Sequence, residues 1–142
     1  MTNDLTTSNK QLVNTFIQAL FTDGDLAAVD RYLDPGMINH DPPFPGAPAG
    51  PEGMRQAAAM FRQALPDWHS QVDQLIAEGD TVVERFTASG THTGELMGVP
   101  GTGHTLVLTG IQIFRIHNDK IVERWGQLDQ IGLLRQLGQI PA

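Results

Sequence analysis

The stretch TLVLTGIQIFRIHNDKIVERWGQLDQ, residues 105–130, decides the fold. β-branched and aromatic residues dominate it, and its apolar residues recur with a period of two rather than 3.6. His117, Asn118, Asp119 and Lys120 break the pattern as a turn does, so the segment reads as two antiparallel strands. In the first, Leu106, Leu108, Gly110, Gln112 and Phe114 share one face, and Val107, Thr109, Ile111, Ile113 and Arg115 share the other. Both faces are largely apolar, so each needs a cover. In the second, Ile121, Glu123, Trp125, Gln127 and Asp129 alternate with Val122, Arg124, Gly126 and Leu128. With no bulge, Trp125, Gln127 and Asp129 line one face. A ring, an amide and a carboxylate together form a pocket wall.

Working outward, Trp68 to Ala77 and Thr81 to Gly90 repeat the strand pattern around Glu78-Gly79-Asp80, which gives four antiparallel strands in all. The first half has helical spacing instead. Leu12, Val13, Phe16, Ile17, Ala19 and Leu20 form an apolar stripe that stops near Asp23-Gly24. Asp25 then suits the N-cap of a short helix carrying Leu26, Val29, Tyr32 and Leu33, which ends at Asp34-Pro35-Gly36. Prolines at 42, 43, 45, 48 and 51 define an ordered loop, and a third helix follows from about Pro51 to Leu65. Helices first and a meander afterwards predict an α+β fold, with the helices packed on one face of a curved antiparallel sheet.

The chain has 142 residues, enough for one domain spanning 1–142. A net charge of −7 without a dense basic cluster argues against a nucleic-acid partner. Cysteine is absent, which removes thiol nucleophiles and disulfide frameworks. The polar start, Met1 to Lys10, is unlike a secretory signal, and no apolar run approaches the roughly 20 residues that span a bilayer. A cytoplasmic protein that avoids membranes is expected. There is no Walker loop, dinucleotide fingerprint or Gly-x-Ser-x-Gly elbow, which leaves acid, base and hydrogen bond as the chemical means.

Tyr32-Leu33 through Asn39-His40-Asp41-Pro42, Gly-Thr-His-Thr-Gly-Glu at 90 to 95, Gly98-Val99-Pro100 with Thr102-Gly103, and Lys120-Ile121-Val122-Glu123-Arg124-Trp125 with Asp129 together resemble the SnoaL-like polyketide cyclases. The closing Leu133-Leu134-Arg135-Gln136-Leu137-Gly138 is similar to that family's C-terminal segment. The resemblance implies a cone-shaped α+β barrel of the ketosteroid isomerase-like type. It also implies an enzyme that closes a ring by intramolecular aldol condensation on an apolar small molecule, with neither metal nor organic cofactor. The family's general acid/base follows the tryptophan of the last strand, and by position the resemblance points to Asp129. The same architecture hosts isomerases, epoxide hydrolases and plain binding proteins. One departure is His104, where the family often carries Arg or Lys.

Each candidate has two readings. Asp129 is a base with a pKa raised in an apolar cavity, or the N-cap of a helix starting at Gln130. His40 polarises a carbonyl at the cavity mouth, or it and Asn39 anchor the proline loop; Asp41 reads as a turn residue. His92 and His104 flank a glycine-rich loop, where either donates to an oxyanion or lies exposed on a hairpin. The histidines lack the short spacings of a metal site, so no metal is expected. Arg85 is an internal partner for a carboxylate or an exposed strand residue, and Gln112, facing with Phe114, orients a ligand by hydrogen bonding. Substrate contacts are thus expected from Asn39, Arg85, His92, Gln112, Phe114, Trp125 and Gln127, with catalysis by Asp129, His40 and His104. The apolar outer face of the strand from Thr105 predicts a homodimer.

Overall fold

The computed structural model describes residues 2–141, with side chains from residue 4 onward. Helix α1 (Thr2–Ile17) runs into a π-helical turn (Gln18–Thr22) and is followed by α2 (Ala28–Tyr32). Strand β1 (Leu33–Asn39), the proline loop and α3 (Pro51–Ala64) come next. The remainder is β2 (His69–Glu78), β3 (Thr81–Thr91), β4 (Thr105–His117), β5 (Lys120–Leu128) and α4 (Gln130–Gln136). The chain is α+β, as its patterning predicts.

The four-strand meander gains a fifth member. β1 pairs parallel with β5, giving one mixed sheet in the order β1-β5-β4-β3-β2. The sequence pattern extends the second helix as far as Asp34-Pro35-Gly36, whereas the backbone is already extended at Leu33. Pro35 is tolerated because β1 is an edge strand, where a missing N–H breaks no ladder. Between β4 and β5 the turn places Asn118 and Asp119 at φ of 50° and 60°, the left-handed pair that a tight hairpin requires.

The helices cover one face of the sheet. Val13, Phe16, Ile17 and Leu20 bury the stripe of α1 and its π turn, and Met54, Ala57, Ala58, Phe61 and Ala64 that of α3. Two core clusters result. One gathers α1, α2 and β1 around Phe114, Ile116 and Ile121; the other gathers α3, Trp68 and α4 around Phe86, Leu106 and Leu108. The proline loop lies tightly on α3, since a Cβ on Gly53 would collide with the Pro48 carbonyl oxygen. Beyond the end of β5 the exposed edge of β4 is closed by α4, where Gln136 accepts from the Val107 N–H at 2.7 Å and donates to its carbonyl at 2.8 Å. No described helix is long and apolar enough to cross a membrane.

Candidate active site

Between the two clusters the inner face of the sheet encloses a chamber. Ile17, Phe21, Met54, Ala57, Phe61, Trp68, Phe86, Ala88, Leu108 and Leu128 give it apolar walls, and Gln112 and Arg124 give it a polar floor. Its volume is about 50 Å³, room for a few waters rather than a polycyclic molecule. A larger, more polar recess of about 230 Å³ adjoins it, sharing Pro43, Arg124 and Leu128 and adding Asp41, Pro42, Gly126, Gln127 and Gln130. Pro43 lines both spaces.

Strand register explains the floor. Glu84 on β3 lies opposite Gln112 on β4, which lies opposite Gly126 on β5, so the three form a row across the sheet. The β5 place in the row has no side chain, and Arg124 bends back into it. A Cβ on Gly126 would collide with Nη2 of that guanidinium. Arg124 Nε donates to Gln112 Oε1 at 2.7 Å, and Nη1 donates to Asn39 Oδ1 at 3.0 Å and to the Asp41 carbonyl at 2.8 Å. Gln112 Nε2 in turn donates to Glu84 Oε1 at 2.8 Å. With both neighbours fixed, the amide has one orientation and a second N–H not engaged by Glu84.

Both charged members are out of water. Arg124 is 3% exposed and Glu84 fully buried, with Oε2 lacking any hydrogen-bond partner. Burial pushes the Glu84 carboxyl up to about 7; the Gln112 bond and the charge of Arg124 oppose the shift, and Asp73 adds to it. Burial likewise lowers Arg124 to about 10 against the attraction of Asp41 and Glu84. At the recess the Asp41 carboxylate accepts from the Gly126 N–H at 2.8 Å, and the Asp41 N–H donates to Asn39 Oδ1 at 3.3 Å. Asn39 is therefore the turn-forming side chain, leaving the Asp41 carboxylate to face β5.

The face expected to be a pocket wall is the outer one. Arg115 pairs with Glu123 and Ile116 with Ile121, so Val122 is a bulge. One extra residue reverses inside and outside for the rest of the strand. Ile121 and Arg124 point inward, while Trp125 and Gln127 point outward. Asp129 caps α4, its Oδ1 accepting from the Gly132 N–H at 2.9 Å, and it is exposed. Its expected catalytic role has no support in this geometry, because its carboxylate bonds the following helix and does not line the chamber. With Arg85, Gln127 and Ile111 it borders a shallow depression on the outer sheet surface.

His40 also lies outside. Its ring stacks on Trp125, with centroids 4.7 Å apart, and its Nε2 is 2.6 Å from Glu123 Oε2. Arg85 is exposed, bonding Gln74 at 3.3 Å and pairing with Asp73 at 3.7 Å. His92 is buried, with Nδ1 3.0 Å from Thr102 Oγ1 and Nε2 unpartnered. His104 is exposed and holds the loop through its backbone carbonyl, which accepts from the His92 N–H at 2.9 Å. Phe114 sits in the first core, edge-on to Phe16 at 6.4 Å. Of the predicted residues, Gln112 lines the chamber, Asn39 supports its floor, and Gln127 borders both the recess and the outer depression.

Glu84, Arg124, Asp41 and Gly126 were not singled out as site residues by the sequence. The signal for Glu84 is a carboxylate at an otherwise apolar inward position between Val82 and Phe86. For Arg124 no signal exists without the bulge.

The sequence pattern described as SnoaL-like polyketide cyclase matches residues 11–137. The aklanonic acid methyl ester cyclase DnrD of Streptomyces peucetius is 30% identical over 110 residues, covering 77% of this chain and 73% of that protein. The nogalonic acid methyl ester cyclase of Streptomyces nogalater is 29% identical over 119 residues, 83% of this chain and 89% of its own. In three dimensions the chain is similar to TsrD of Streptomyces laurentii, with a TM-score of 0.83 and 33% identity over 94% of this chain and 97% of that one.

Proposed function

The chain belongs to the SnoaL-like polyketide cyclases and is an enzyme of that type, and on this premise we propose that it closes a ring on a polyketide-derived carbonyl compound by deprotonation at carbon. One observation carries the reading: an apolar chamber whose floor presents an oriented amide N–H beside a buried cation. A carbonyl oxygen received there gains charge as its α-proton leaves, and fixed donors in a water-poor site stabilise that charge.

Asp41 is the carboxylate best placed to act as base. It borders the recess that adjoins the chamber, whereas Glu84 lies behind Gln112 and Asp129 faces α4. In the proposed sequence Asp41 takes the α-proton and the bonding electrons move onto the oxygen held by Gln112. The enolate carbon then attacks a second carbonyl, and Asp41 returns its proton to the new alkoxide. Atoms and charge balance without a co-reactant. Substrate admission requires the Pro42-Pro43 segment to move, because the chamber is smaller than a polycyclic ligand.

The test is incubation in D2O with an aromatic polyketide methyl ester of the kind named for the relatives. Ring closure and deuterium at the α-carbon are expected. Asp41→Asn should lower turnover by about 100-fold or more with the fold intact, and Asp129→Asn should turn over near the wild-type rate. Loss of turnover in Asp129→Asn alone would return the base to that residue. Ester or epoxide hydrolysis without α-exchange would replace cyclisation with water activation.

We also expect a cytoplasmic homodimer joined through the outer sheet face. Its support is the exposure there of Ile111, at 48%, and Val107, at 38%. Gel filtration at micromolar concentration tests the assembly, a monomer counting against it.

A further inference from the structure

A guanidinium carries five N–H donors. Three of those on Arg124 are engaged, and all three meet neutral oxygens: the Gln112 amide, the Asn39 amide and the Asp41 backbone carbonyl. The two on Nη2 have no partner among the described residues. No described carboxylate forms an ion pair with this arginine. Asp41 turns its carboxylate to the Gly126 N–H, and Glu84 is held off by the intervening Gln112. A cation this deeply buried is costly, because the attraction of Asp41 and Glu84 acts without direct contact and two donors remain free, so its lost hydration is only partly offset.

The position of Nη2 shows where that charge belongs. It occupies the place of a side chain on Gly126, a residue that borders the recess, while Arg124 lines both spaces. The free donors therefore sit where the two spaces meet. Since Asp41 presents negative charge on the recess side, an anion is better accommodated from the chamber side, against the apolar walls.

We propose that the chamber takes an anionic substrate, an aromatic or polycyclic carboxylate whose free acid group docks on Nη2 of Arg124, in preference to the corresponding neutral ester. The proposal relies on the reading above for the location of the chamber and for the movement of the Pro42-Pro43 segment that opens it to a ring system. An acid would pair the buried charge, and an ester would leave it unpaired. Gly126 is the companion specificity determinant, because its missing side chain leaves Nη2 in place.

The experiment is calorimetric titration of the full chain at pH 8 with 2-naphthoate and, separately, methyl 2-naphthoate. The acid is expected to bind at least tenfold more tightly than the ester. Gly126→Ala, which drives the guanidinium aside, should bring the acid down to the level of the ester. Arg124→Met should do the same, with circular dichroism checking its fold; if it does not fold, Gly126→Ala decides. Equal or weaker binding of the acid in the wild type, including no binding of either at millimolar concentration, overturns the proposal. So does an acid preference that survives Gly126→Ala. Esters cyclised without acid preference would sink this inference alone, whereas acid-selective binding without ring closure would sink the cyclase mechanism alone.

Discussion

Opposite faces of the sheet each carry an arginine and a glutamate, arranged in opposite ways. Outside, Arg115 Nε donates to Glu123 Oε1 at 2.7 Å and His40 closes on the other oxygen at 2.6 Å. Arg115 and then His40 hold the Glu123 carboxyl below its usual range. Inside, Gln112 separates Glu84 from Arg124, and both keep groups without protein partners. Water explains the contrast. Outer side chains move freely until opposite charges meet, and the gain is small because solvent already screens them. Inner ones are fixed by the strands that carry them, so an amide on the middle strand keeps two charges apart that would otherwise neutralise each other. The outer set serves as a clasp; the inner set retains capacity for a ligand.

Removing the spacer should break this contrast most severely. Gln112→Leu removes the hydrogen-bond partner of both Glu84 Oε1 and Arg124 Nε and should cost about 2–6 kcal/mol in urea unfolding, about 1–3 kcal/mol for each group. Next comes pH. Glu84 keeps its proton up to about 7 when folded, against 4.5 for the unfolded carboxyl, so the folded state binds the extra proton between those values. Its contribution is therefore full below about pH 4.5, declines as pH rises through this window, and is flat above it, a total of roughly 3 kcal/mol. Glu84→Gln should flatten that slope in melts run from pH 4.5 to 7.5; an unchanged slope would show that Glu84 ionises normally.

Smaller effects should sharpen the comparison from outside. Asp129→Ala removes the cap of α4 and should cost about 1 kcal/mol in denaturant unfolding, with turnover kept. Smallest of all, Glu123→Gln should barely move the melting midpoint, and what change there is should fade at high salt. A large loss there would mean that the outer clasp holds β1 against β5.

The site was less legible than the fold because its parity depends on one residue. Strand patterning from 105 to 130 matches β4 and β5, and the alternation that groups Gln112 with Phe114 holds along β4, where that face turns inward. Val122 then shifts the count on β5, and Trp125, Gln127 and Asp129 turn outward. The fifth strand was missed for a related reason. Residues 33–39 contain Pro35 and Gly36 and have little strand propensity of their own, so only the parallel edge of β5 makes them extended.

Period and turn residues are properties of the chain itself and determine the α+β class before any contact is known, while the motif order from Tyr32 to Gly138 carries the resemblance to the cyclases. Which carboxylate borders the recess, and that Arg124 fills the vacancy at Gly126, were decided only in three dimensions. Local pattern fixes a strand's alternation, but a single bulge sets its phase, and that phase depends on hydrogen bonds to a neighbouring strand.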